Sequence, residues 1–135
     1  MNRNNAIVIV DDDEDDTYLL VDAIKKFGVK NEFKCFNNGI KALLYLRSTK
    51  EDPALIISDI NMPLMDGIMF KNKIDEDSEL NKRKFPFVFF STTIDNLNHV
   101  ADHPLAASIK KPGDAKDYQP IVKKMLHLGH IISEA

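Results

Sequence analysis

The chain predicts an α/β fold, a five-stranded parallel sheet doubly wound by five helices, and three observations carry that expectation. Apolar runs of strand length, residues 6–10 and 55–58, show no polar alternation, as strands covered on both faces do. Segments with helical spacing alternate with these runs along the chain, which favours parallel strands joined by right-handed crossovers. Acids and hydroxyls stand where the runs stop, at Asp11, Asp59 and Ser91. In open α/β sheets ligands bind in the crevice outside the carboxyl ends of the strands.

The first strand, residues 6–10, ends abruptly at six acids, residues 11–16. Tyr18, Leu19, Val21, Ala23, Ile24 and Phe27 then recur with helical spacing, and Gly28 closes the pattern. Asp13 as N-cap and Glu14, Asp15 and Asp16 in the first turn are explained by capping and by the helix dipole. Asp11 and Asp12 are not, because adjacent carboxylates at a strand end repel unless a cation or water reaches them. Residues 32–36 form a weaker, more polar strand. A turn at 37–39 leads into a helix through Ile40, Ala42, Leu43 and Leu46 that ends near Ser48.

The third strand is 55–58, and Pro63 with Asp66 and Gly67 breaks the chain after Asp59. A helix through Met69, Phe70 and Ile74 follows, then a charged connection to Lys84 in which Lys82, Arg83 and Lys84 are expected to be solvated. Residues 86–90 are the fourth strand and deliver Ser91 to the same end of the sheet. Leu97, Val100 and Ala101 indicate a short helix broken at Pro104, and 105–109 is the fifth strand, leading to Lys110, Lys111 and Pro112. The last helix carries Ile121, Val122, Met125 and Leu126. Its cap is placed at Asp117 rather than Asp114, since Pro120 is acceptable only near a helix start.

With 135 residues and 44% hydrophobic content the chain has the size and apolar content of one domain, and a single domain over residues 1–135, with no second domain after the last helix, is expected. A net charge of −3 without a basic stripe argues against nucleic acid as a partner. One cysteine, Cys35, excludes an intramolecular disulfide framework and suits a reducing compartment; it is expected to be a small buried hydrophobe on its strand. No apolar run approaches membrane-spanning length and no signal-peptide pattern is present, so a cytoplasmic protein without a membrane partner is expected. His99 and His103 are read as surface residues.

Four strand ends thus bring Asp11 with Asp12, Asp59, Ser91 and Lys111 to one crevice. Three carboxylates there call for a divalent cation, and Mg2+ fits, because it takes hard oxygen ligands from one or two carboxylates, waters and a phosphate. A carboxylate beside such an ion can attack phosphorus and form an aspartyl phosphate. Lys111 offers a point charge to a phosphate oxygen, and the Ser91 hydroxyl a hydrogen bond. Each residue alone has a plainer reading: a turn cap, a strand-end hydroxyl, a surface lysine.

These motifs, taken in order, resemble the receiver domains of two-component response regulators, over nearly the whole chain. The marks are Val10, Asp11 and Asp12; Asp59 through Pro63 with Met65, Asp66 and Gly67; Ser91 and Thr92; Lys111 and Pro112; and Gly39, Ala42 and Leu43 at the opening of the second helix. The resemblance implies a flavodoxin-like strand order of 2-1-3-4-5. It makes Asp59 the phosphoacceptor, Asp12 a direct Mg2+ ligand, Asp11 a ligand partly through water, and Asn61 a donor of its backbone carbonyl to the metal, with Ser91 and Lys111 holding the phosphoryl group. A register with Asp12 and Asp13 as the acid pair lies one residue away. Two features depart from the family: Ser108 stands on the fifth strand where an aromatic is usual, and the segment from Ser91 to Lys111, with His103 and Pro104, is short. The signal is therefore expected to leave through the loop at 92–95, with Tyr118 completing the contact face.

The expected function is a stand-alone receiver without an output domain. It takes a phosphoryl group from a histidine kinase or a phosphotransfer protein onto Asp59 and switches its affinity for a downstream protein. Its only catalysis would be self-phosphorylation and self-dephosphorylation. Two alternatives are a haloacid-dehalogenase-like phosphohydrolase, which needs a general-acid Asp where this chain has Asn61, and a receiver-like scaffold that is never phosphorylated.

Overall fold

Side chains of a strand point alternately to opposite faces, so a run that is apolar at every position needs cover on both. That cover is present in the computed structural model, which describes residues 3–93 and 106–133. Strands β1 (Ile7–Val10), β2 (Phe33–Phe36), β3 (Leu55–Ser58), β4 (Phe87–Ser91) and β5 (Ala106–Lys110) form one parallel sheet in the order β2-β1-β3-β4-β5. Four helices are found among the described residues: α1 (Glu14–Lys25), α2 (Gly39–Ser48), α3 (Gly67–Glu76) and α4 (Tyr118–Leu128). The helix expected around Leu97, Val100 and Ala101 lies outside the described residues, as do His99, His103 and Pro104.

The two faces carry separate cores. Val8, Val10, Ile56, Phe87 and Phe89 pack with Ala42, Leu46 and Phe70 from α2 and α3. Ile7, Ile9, Leu55, Ile57, Val88 and Phe90 pack with Leu20 and Ile24 of α1 and Val122 and Met125 of α4. Burying each such side chain is worth roughly 1.5–3 kcal/mol over leaving it exposed. Capping sets the helix starts: Asp13 accepts from the amides of Asp15 and Asp16, Asn38 from Lys41 and Asp66 from Met69. At α4 the expected cap position is right, but the Asp117 side chain makes no cap bond. Asp114 instead caps a single 3-10 turn, Ala115–Asp117, that precedes the helix.

Two readings of single residues are corrected. Cys35 is exposed rather than buried, because β2 is an edge strand with a partner on one side only. Arg83 is not a solvated loop residue: its Nε donates to Asp52 Oδ1 at 2.5 Å and its Nη1 to the Leu46 carbonyl at 3.0 Å, tying the end of α2 to the entrance of β4.

Register positions the site. Val10 lies beside Ser58, and Ser91 beside Lys110, so the next residues on β1, β3 and β5 emerge together at the carboxyl edge. Backbone hydrogen bonding continues one step past the strands, from the Asp11 amide to Phe36, from Asp59 to Val10 and from Lys111 to Ser91, at 2.9–3.0 Å. The backbones of Asp11, Asp59 and Lys111 are thereby held as rigidly as the sheet.

Candidate functional site

Polar side chains seldom lie buried unless something holds them there. Among the described residues the buried polar or charged ones are Asp11, Ser58, Asp59, Lys71, Ser91 and Lys111, and four of them meet at this one edge. The lysine is the centre of the cluster. Its Nζ donates to Asp11 Oδ2 at 2.7 Å, to Asp16 Oδ2 at 2.9 Å and to Asp59 Oδ2 at 3.2 Å, and it lies 5.9 Å from the centre of the Phe90 ring. The other oxygen of each buried acid takes a backbone amide: Asp13 donates to Asp11 Oδ1 at 2.9 Å, and Ile60 to Asp59 Oδ1 at 2.7 Å.

Asp11, Asp12 and Asp59 each present a carboxylate oxygen within 4.8 Å of the others, with Asp12 exposed at the mouth. Three convergent anionic oxygens from two strand ends are a hard donor set, which fits magnesium. The neighbouring Asp13 has its Oδ1 occupied by the first-turn amides of α1, so the cluster falls on Asp11 and Asp12 and not on the register one residue along.

Burial dominates the electrostatics. It pushes the Asp11 carboxyl up to about 6, against the pull of the hydrogen bonds from Lys111 and Asp13. Burial also works to lower the pKa of Lys111, but the hydrogen bonds it donates to Asp11 and Asp16 outweigh it and raise the lysine above its ordinary value, so the ammonium persists at neutral pH.

The loop after β3 is shaped by Gly67, whose amide donates to the Ile60 carbonyl at 2.7 Å as α3 begins. On the far side Ser91 is buried at the end of β4, and its Oγ lies 3.5 Å from Thr93 Oγ1. Thr93 Oγ1 also accepts from the Asn61 side chain, which links the loops after β3 and β4. Ser108 lies beside Phe89 on the α2 and α3 side of the sheet and is exposed. Tyr118 is not a surface contact residue: it is 4% exposed and meets the Phe90 ring edge-on at 5.7 Å.

Asp16 is the member that the sequence does not disclose. An acid in the first turn of a helix has a sufficient local explanation, and its bond to Lys111 spans 95 residues. The one available signal is its position, one helical turn after Asp12 and on the side of α1 that looks back over the strand end.

The response regulator receiver domain model matches residues 7–123. The chain is 34% identical over 121 residues to the response regulator receiver protein CpdR of Brucella abortus, covering 89% of this chain and 95% of that one. Among solved structures it is similar to the phosphorylated cyanobacterial phytochrome response regulator RcpA, at 30% identity and a TM-score of 0.76, over 88% of this chain and 89% of that one. The Mn(2+)-bound form of response regulator Rcp1 shares the fold at 23% identity and a TM-score of 0.72, over 88% of this chain and 89% of that one. The family match gives the phosphohydrolase reading no support, and no helix among the described residues is long and apolar enough to cross a membrane. A parallel sheet in the order 2-1-3-4-5, with acids, a hydroxyl and a lysine gathered at its carboxyl edge, agrees with that match, and the chain belongs to the response regulator receiver domain family.

Proposed function

We propose that Asp59 is the phosphoacceptor of this receiver domain, which takes its phosphoryl group from the histidine of a kinase or phosphotransfer protein. The observation that carries this reading is the convergence of Asp11, Asp12 and Asp59 within 4.8 Å, with Lys111 bonded to Asp11 and Asp59. An Asp59 oxygen attacks phosphorus, a P–O bond forms, and the P–N bond to the donor imidazole breaks with its electrons going to nitrogen. Asp11 and Asp12, with Asp59 and the Asn61 backbone carbonyl, would hold Mg2+, which when bound neutralises charge between the carboxylates and the phosphoryl group. Lys111 and Ser91 receive the phosphoryl oxygens, and hydrolysis of the acyl phosphate returns the resting state.

The output is an altered affinity for a downstream protein in the cytoplasm, not turnover of an external substrate. Incubation with a small phosphodonor and Mg2+, followed by intact-mass measurement, tests the proposal: one added phosphoryl group that depends on Mg2+ is expected. An unchanged mass would favour the unphosphorylated scaffold.

A further inference from the structure

Lys111 offers three ammonium N–H donors, and all three acceptors are carboxylates: Asp11, Asp16 and Asp59. Two of these acids belong to the cation cluster and the third does not. A divalent ion on Asp11, Asp12 and Asp59 draws their oxygens toward itself and repels the ammonium. Asp16 is then the carboxylate left to hold Lys111.

Asp16 is well anchored for that task. Its amide donates to Asp13 Oδ1 at 3.1 Å, in a turn whose helix is packed through Leu20, Ala23 and Ile24. The same helix is clasped to α4 where Gln119 Nε2 donates to the Ala23 carbonyl at 3.1 Å. The Lys111 stem, by contrast, is a flexible four-carbon chain whose head goes where charge takes it. Without Asp16 the ammonium would settle on Asp11 and Asp59, neutralise them and compete with the cation for their oxygens.

We propose that Asp16 is a positioning residue for phosphoryl transfer: it holds the Lys111 ammonium to one side of the carboxylate cluster, leaving Asp11 and Asp59 to the cation and two N–H donors to the phosphoryl oxygens. This rests on the reading of Asp59 as phosphoacceptor. It assigns work to an acid that otherwise only favours a helix start.

The test compares Asp16→Asn and Asp16→Glu in the wild-type and Lys111→Ala backgrounds, reading Mg2+ affinity by calorimetry and the phosphorylation rate with phosphoramidate at saturating Mg2+. Losing a hydrogen bond to a charged group predicts a loss of roughly tenfold in Mg2+ affinity and in rate for Asp16→Asn. Asp16→Glu keeps a carboxylate in reach of Lys111 and stays within about threefold of wild type on both readouts. With Lys111 removed, Asp16→Asn changes either quantity by less than about threefold, since the partner through which it acts is gone. Should the asparagine variant not fold, Asp16→Ser removes the carboxylate with a residue suited to a helix start and gives the same comparison. Wild-type values for Asp16→Asn, or an equal loss in both backgrounds, overturn this inference alone. A wild-type protein that accepts no phosphoryl group overturns the phosphoacceptor reading and this inference with it.

Discussion

A Cβ atom on Gly67 would stand 2.0 Å from the carbonyl oxygen of Asp59 and 2.9 Å from its carbonyl carbon. No side chain can sit there unless backbone moves, and the backbone that must move carries the proposed acceptor. Gly67→Ala is therefore expected to lose on the order of 1–3 kcal/mol of stability, as overpacking does, and to slow phosphorylation. Urea denaturation and the rate with phosphoramidate check it; a variant matching wild type in both would show that the loop yields freely.

Asp11 makes stability fall as pH rises through its titration. Its folded value is about 6 against an ordinary 3.8, so the folded state holds this proton more tightly than the unfolded chain does. The stability this proton contributes is present in full below 3.8 and lost as pH climbs through about 6. Metal-free Asp11→Asn should thus be at least as stable as wild type at pH 7, with the advantage gone near pH 4. Urea denaturation in chelator at both values decides it, and a wild type that gains on the variant between pH 4 and 7 contradicts the assignment.

With Asp11 among the proposed Mg2+ ligands, protons and cation would compete for it, so apparent Mg2+ affinity is expected to fall steadily below about pH 6 and to level off above it. Calorimetric titration across pH 5 to 8 measures this, and a flat profile would place Asp11 outside the metal site.

Ser91 and Ser108 should behave differently. Ser91 is buried at the end of β4 beside Thr93, whereas Ser108 is exposed on β5. Ser91→Ala is expected to accept a phosphoryl group and lose much of the conformational response, because no hydroxyl remains to follow the new charge. Ser108→Ala should leave both intact. Amide NMR shifts on adding beryllofluoride and Mg2+ report the response; loss of it in Ser108→Ala would place the switch on β5.

Much of this was legible because the local signals agreed. The run at 55–58 shows no polar alternation, its one polar residue being the terminal Ser58, and β3 is buried at all four residues. Asp13, expected as a cap, caps α1, while the turn at 37–39 and the break at Asp66 and Gly67 turn out to supply the caps of α2 and α3. What escaped depends on contacts distant in sequence. The Arg83 pair with Asp52 crosses 31 residues, and the Asp16 bond to Lys111 crosses 95. The exposure of Cys35 follows from a strand flanked on one side only, and strand order is not written in the residues of that strand. Tyr118 marks the start of α4 in the sequence, but its burial follows from the ring of Phe90 on another element.

The central claim is that Asp59, and no neighbouring acid, receives the phosphoryl group. Its most direct measurement is intact mass, followed by peptide mapping, of wild type and Asp59→Asn after the same exposure to phosphoramidate and Mg2+. The amide keeps the shape of the carboxylate but cannot attack phosphorus. The account predicts one added phosphoryl group in wild type, mapped to Asp59, and none in a variant that remains folded by circular dichroism. An equal phosphoryl mass in folded Asp59→Asn would contradict it and move the acceptor to another acid of the crevice.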